Sequence, residues 1–201
     1  MAFGDSLTAG LGLSAKEAYP ALLQERLKQD GYDYDVVNSG VSGDTSAGGV
    51  RRIDWALDGD VRFLILELGA NDFLRGQPVA ETKKNLAEII DRAQAKNAKV
   101  LLAGMLAPTN AGREYQEQIR TMFTDLAREK DVTLIPFFLE NVAGLEPLNQ
   151  QDGIHPNAAG TKLVAETVYR HLKPMLDESR KLSADYTDYA DKNFMKERRR
   201  R

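Results

Sequence analysis

The chain contains no cysteine, so no disulfide can staple it, no thiolate cluster can hold zinc, and no cysteine can serve as a nucleophile. Stability has to come from packing. Long hydrophobic runs are missing too. The longest apolar stretches, such as Phe63-Leu64-Ile65-Leu66, fall far short of the roughly 20 residues a membrane-spanning helix needs, so the sequence predicts no integral membrane segment. There is no basic surplus: 27 Lys and Arg stand against 30 Asp and Glu, a net charge of −3. That balance argues against a nucleic-acid partner, whose phosphates select a basic face. The one basic run, Arg198 to Arg201, reads as a solvated end. A Gly-X-Y period, heptads and long repeats are all absent, which excludes a fibre and a solenoid. The start of the sequence has neither the basic residues nor the apolar run of about 7 to 15 residues of a secretory leader. The localisation is left open: a cytoplasmic protein is expected of the sequence as it stands, and a periplasmic or secreted one if a signal peptide has been lost upstream of Met1.

What is present is 201 residues, 42% of them hydrophobic, enough for one α/β domain that buries roughly 70% of its unfolded surface. Apolar β-rich runs alternate with helical patterns, the signature of a parallel sheet covered by helices. Val36-Val37, Val61 to Leu68, Lys99 to Met105 and Val132 to Ile135 are the candidate strands, after a first strand cut to Met1-Ala2-Phe3. Val61 to Leu68 is almost continuously apolar, as a central strand buried on both faces should be. Helices are expected near Ala18 to Gln29, Gly48 to Leu57, Val79 to Lys96 and Glu114 to Lys130. In the third, Leu86, Ile89, Ile90 and Ala93 form one stripe. A last helix should start at Pro156 and reach Lys173, where Pro174 ends or kinks it. This divides the chain into a domain over 1–176 and an extension over 177–201, helical or disordered. Leu182, Tyr186 and Tyr189 give that extension a narrow apolar stripe, which could dock on its own domain or on a second copy, so the protein is expected to be a monomer or a dimer.

The chemistry-bearing residues cluster in loops that follow strands, the edge where parallel α/β sheets bind ligands. Gly4-Asp5-Ser6-Leu7-Thr8 puts Ser6 in a glycine-rich loop, although a serine among glycines is commonly a turn residue. The loop lacks the spacing of a phosphate cradle or a dinucleotide fingerprint. One of only two histidines lies in Asp152-Gly153-Ile154-His155-Pro156. A serine needs a base to take its proton, and the base needs a carboxylate to fix its tautomer. His155 and Asp152 supply both, unless they form only a solvated helix entry with a capping aspartate. His171 reads as a packing or surface residue. Acyl transfer also needs donors for the oxyanion. Gly43, in Ser42-Gly43-Asp44, offers a backbone N–H, Asn71, in Gly69-Ala70-Asn71-Asp72, offers a neutral amide, and the Ser6 N–H is a third. Asp44 and Asp72 would equally suit helix caps.

These blocks resemble the GDSL or SGNH hydrolases, whose motifs centre on Ser, Gly, Asn and His, over residues 1–176 and in the family's order. Within the family the chain is similar to the bacterial thioesterase/arylesterase/lysophospholipase type, through Ala107 to Tyr115 and Leu134 to Glu140. The resemblance implies a flavodoxin-like three-layer sandwich with a five-stranded parallel sheet in the order 2-1-3-4-5, and hydrolysis of ester or thioester bonds without cofactor or metal. Ser6, Asp152 and His155 are then the expected catalytic residues, with Ser6, Gly43 and Asn71 as oxyanion donors. Leu11, Leu13 and the segment Met105 to Gly112, including Pro108 and Asn110, are the expected substrate wall. An apolar wall would suit aryl and short-to-medium acyl substrates. A polar one would suit acetylated sugars. A lipid- or glycan-binding module without catalysis is the alternative of another class. The truncated first strand and the tail depart from the family pattern.

Overall fold

A computed structural model describes residues 1–107 and 111–198, with side chains through position 182. Its first compact unit is Met1–His171. This unit carries a sheet of five parallel strands, β1 (Ala2–Gly4), β2 (Asn38–Gly40), β3 (Phe63–Glu67), β4 (Lys99–Ala103) and β5 (Thr133–Ile135), in the order β2-β1-β3-β4-β5. Every residue of β3 is buried, and strand side chains alternate between faces, so both faces of the sheet are covered. The covering helices are α2 (Tyr19–Gln29), α3 (Ser46–Ala56), α5 (Val79–Ala95), α6 (Arg113–Lys130) and the start of α7 (Ala158–Arg198). Leu86, Ile89, Ile90 and Ala93 are buried on α5, the stripe read from the sequence. Among the described residues no helix is long and apolar enough to cross a membrane.

The strand carrying Gly4 is only three residues long yet sits between β2 and β3, with Gly4 level with Gly40 on one side and Glu67 on the other. Arg52 of α3 compensates for the short ladder. Its guanidinium lies 3.8 Å from the centroid of the Phe3 ring, donates to the Gly4 and Ser39 carbonyls at 2.9 and 2.8 Å, and pairs with Asp44 at 2.7 Å. Asp44 is therefore an ion-pair partner. Thr45 caps α3 instead, accepting from Gly48 N.

Several boundaries differ from the sequence reading. β2 begins at Asn38, after Val36-Val37. The position of this edge strand is set by the β1 ladder, which starts where Ala2 N donates to the Val37 carbonyl, so β-propensity is overridden by pairing. Two short helices, α1 (Ser6–Ala9) and α4 (Ala70–Leu74), occupy segments that read as loops. The final helix starts at Ala158. Pro156 instead pairs with Asn149 in a β-bridge, and the Asn157 side chain accepts from Ala159 and Gly160 N–H. Pro174 lies inside the helix and does not end it. Of the second unit, Leu172–Arg201, the residues described through Arg198 are helical, and Lys173 and Asp177 pair one turn apart. The side chains of Tyr186 and Tyr189 lie outside the described residues.

Candidate active site

Ser6 is the first residue of α1, directly beyond the carboxyl end of β1. As the opening residue of a helix it has no carbonyl one turn back to receive its N–H. Asp5 caps this turn, its Oδ1 accepting from Leu7 N at 3.0 Å, and Gly10 closes it at φ 78°. Ser6 Oγ lies 2.9 Å from His155 Nε2. His155 Nδ1 lies 2.7 Å from Asp152 Oδ2. The Asp152–His155 pair forms because Gly153 takes φ 74°, a left-handed conformation glycine adopts without cost. That turn lets Asp152 Oδ1 accept from both Ile154 N and His155 N at 3.0 Å. The backbone N–H of His155 and its ring, with Ile154 N, hold the Asp152 carboxyl down at about 2. An anionic Asp152 can only accept, so Nδ1 carries the ring proton and Nε2 is free to accept from the Ser6 hydroxyl.

Asn71, on α4, donates from Nδ2 to Asp5 Oδ2 at 2.9 Å, which ties its amide to the residue preceding Ser6. Gly69 begins that helix at φ 118°. Asp72 is not the cap; buried, it accepts from Ser46 N and Ser46 Oγ at 2.9 and 2.5 Å and so fastens α4 to the start of α3. Gly43 lies in the turn after β2 at φ 80°, and its carbonyl accepts from Arg75 Nη2 at 3.0 Å. Leu11 and Leu13 line a cleft that Ser6 and His155 share with Phe138 and Val164. Pro108 and Asn110 lie outside the described residues. His171 bonds the Thr167 carbonyl of its own helix and takes no part.

The sequence reading passed over two residues that shape this site. Gln150 Nε2 donates to the carbonyls of Leu11 and Pro156 at 2.7 and 3.0 Å, stitching the serine loop to the histidine loop. Nothing in its sequence context marks it. Glu67 is wholly buried at the end of β3 and accepts from Asp5 N and Thr8 Oγ1 at 3.2 and 2.8 Å. A lone acid closing an apolar strand was the available signal.

This sheet order, with a Ser–His–Asp hydrogen-bond chain at its carboxyl edge, defines an ester hydrolase of the SGNH class. The chain belongs to the GDSL-like lipase/acylhydrolase family, whose model matches residues 2–163. It is 44% identical over 174 residues to esterase TesA of Pseudomonas aeruginosa, covering 86% of this chain and 87% of that protein. It is 39% identical over 175 residues to thioesterase 1/protease 1/lysophospholipase L1 of Escherichia coli, covering 87% and 83%. The crystal structure of the psychrotrophic esterase EstA from Pseudoalteromonas, inhibited by monoethylphosphonate, superposes with a TM-score of 0.83 at 34% identity, covering 88% of this chain and 97% of that one.

Proposed function

We propose that the protein hydrolyses small aryl esters and short-to-medium acyl esters or thioesters through an acyl-enzyme on Ser6. The observation that carries this reading is the unbroken chain from Ser6 Oγ through His155 to Asp152, at 2.9 and 2.7 Å. His155 Nε2 takes the hydroxyl proton as Oγ attacks the carbonyl carbon, and Asp152 stabilises the imidazolium that forms. The oxyanion is received by the N–H of Ser6, the N–H of Gly43 and the second amide hydrogen of Asn71, the first being held by Asp5. Collapse of the tetrahedral intermediate expels the alcohol or thiol, protonated by His155. Water, activated by the same ring, then releases the acid. The apolar side chains of Leu11 and Leu13 beside Ser6 support an apolar acyl or aryl group over an acetylated sugar, and a binding module has no need of a nucleophile, base and orienter in one chain.

The test is S6A, assayed on p-nitrophenyl acetate, butyrate and octanoate, an acyl-CoA and an acetylated xylan. Loss of a triad serine costs up to about a factor of 10⁶ in kcat, and a variant that keeps more than a tenth of wild-type turnover would overturn the mechanism. A relative is inhibited by monoethylphosphonate. The corresponding expectation here is that an ethyl p-nitrophenyl phosphonate, attacked at phosphorus by Ser6 Oγ with loss of p-nitrophenolate and transfer of the hydroxyl proton to His155, leaves one phosphonyl adduct per chain, mapped to Ser6 by mass spectrometry and absent from S6A.

A further inference from the structure

Glu67 is 0% exposed and Asp5 1%, and they reach the site from adjacent strands, since Gly4 and Glu67 are level in the β1–β3 ladder. Glu67 Oε2 accepts from Asp5 N and Thr8 Oγ1, while Oε1 has no partner. Among the described residues no basic side chain pairs with Glu67. Arg52, which reaches the Gly4 carbonyl, spends its remaining nitrogens on Ser39 and Asp44. An ionised carboxylate cannot be kept in such a place cheaply, and two side by side cannot both ionise. Burial, and then the neighbouring Asp5 charge, push the Glu67 carboxyl well up. Asp5 is also raised by burial, but the hydrogen bonds from the Leu7 N–H and the Asn71 amide act to keep it ionised. The other group bordering Glu67 is Tyr19, reached through Thr8 at 3.4 Å, whose hydroxyl is pushed up by burial and stays neutral. Of the two acids, the one with a bare oxygen and no second set of donors takes the proton.

We infer that Glu67 is a positioning residue for ester hydrolysis: as a neutral acid that accepts from the Asp5 N–H and the Thr8 hydroxyl, it sets no second anion against Asp5, and the Asp5 anion so placed orients the Asn71 amide for the oxyanion. This rests on the catalytic reading above, and it adds a proton, stored under the site, on which the amide's aim depends. If Glu67 loses that proton, Asp5 faces a second anion and the Asp5–Asn71 bond is the nearest contact to give way. Asn71 acts on the transition state, so the effect falls on kcat and leaves KM in place.

The experiment pairs E67L with E67Q. E67L removes the acceptor that holds the Asp5 N–H and the Thr8 hydroxyl and should lower kcat about tenfold or more, the rate equivalent of one neutral hydrogen bond, with KM unchanged. E67Q keeps a neutral acceptor for the Asp5 N–H and the Thr8 hydroxyl, and should restore most of that loss. Wild-type kcat should fall at alkaline pH as Glu67 ionises, and in E67Q that fall should disappear. Equal losses in the two variants, or an alkaline fall that persists in E67Q, would overturn the inference. Infrared spectroscopy of S6A, which needs no turnover and no folded E67L, provides the independent readout: a protonated-carboxyl stretch at neutral pH that vanishes in S6A combined with E67Q. Its absence from S6A defeats the inference even where the Ser6 mechanism stands. Its presence upholds the acid pair even where that mechanism fails.

Discussion

At the scale of single residues, the proposed mechanism divides groups that would meet the substrate from groups that would aim them. Asn71 is expected to act when charge develops on the carbonyl oxygen, so N71A should lower kcat by about 10² to 10³ with KM nearly constant. A change confined to KM, measured on p-nitrophenyl butyrate, would make Asn71 a substrate-positioning group instead. Asp152 gives a different signature. Its folded-state carboxyl is depressed to about 2, below the roughly 3.9 of an unfolded aspartate. A depressed acid stabilises the fold above its unfolded value, and that support is lost as pH falls through the folded value. The loop support from Asp152 is thus complete above about pH 4 and disappears toward pH 2. D152N removes the anion that fixes the ring and should cost on the order of 10² to 10⁴ in kcat. A D152N enzyme with wild-type turnover would show that the hydrogen bonds to the 153–155 turn suffice without the charge.

At the scale of elements, the three-residue strand β1 has the tightest tolerances. A Cβ at Gly4 would lie 2.1 Å from Thr8 Oγ1, 2.5 Å from Glu67 Oε2 and 2.6 Å from the Glu67 carbonyl. Two of these atoms belong to a buried side chain and a backbone that cannot move aside. Overpacking of this kind costs typically about 1–3 kcal/mol. G4A should therefore lower Tm by roughly 3 to 10 °C and reduce kcat as well, because the displaced strand carries Ser6 with it. A G4A protein with wild-type Tm in a thermal melt would contradict the packing described. The elements also show what a sequence discloses. Val61 to Leu68 was readable as the central strand because burial on both faces leaves a nearly unbroken apolar run. β2 was not, because its register comes from its neighbour, and the valines drew the reading two residues early. Ser6, Asp152 and His155 stood out only in combination, because each pattern is common by itself but all four blocks follow strands at one edge of the sheet. Glu67 and Gln150 did not, since each acquires its role only across a ladder or a distant loop contact.

At the scale of the whole molecule, the described residues around Ser6, Asn71 and His155 all fall within Met1–His171. A chain truncated after Leu176 is therefore expected to keep wild-type kcat/KM. If the helix beyond that point docks on its own domain, the truncated protein should melt lower. If it joins two copies, the mass by light scattering should halve. Loss of kcat/KM on truncation would mean that the extension contributes to the site.

The hydrogen bond between Ser6 and His155 spans 149 positions of sequence, so the proposed nucleophile and base come from segments far apart in the chain. Closing so long a loop is entropically unfavourable until the intervening sheet has formed. A nascent chain emerging amino end first holds its serine long before its histidine exists. Chemical competence is thus a late event in biogenesis, and in a refolding experiment recovered turnover should never precede recovered tertiary signal. The hydrolytic rate thereby doubles as a stringent reporter of the completed native topology.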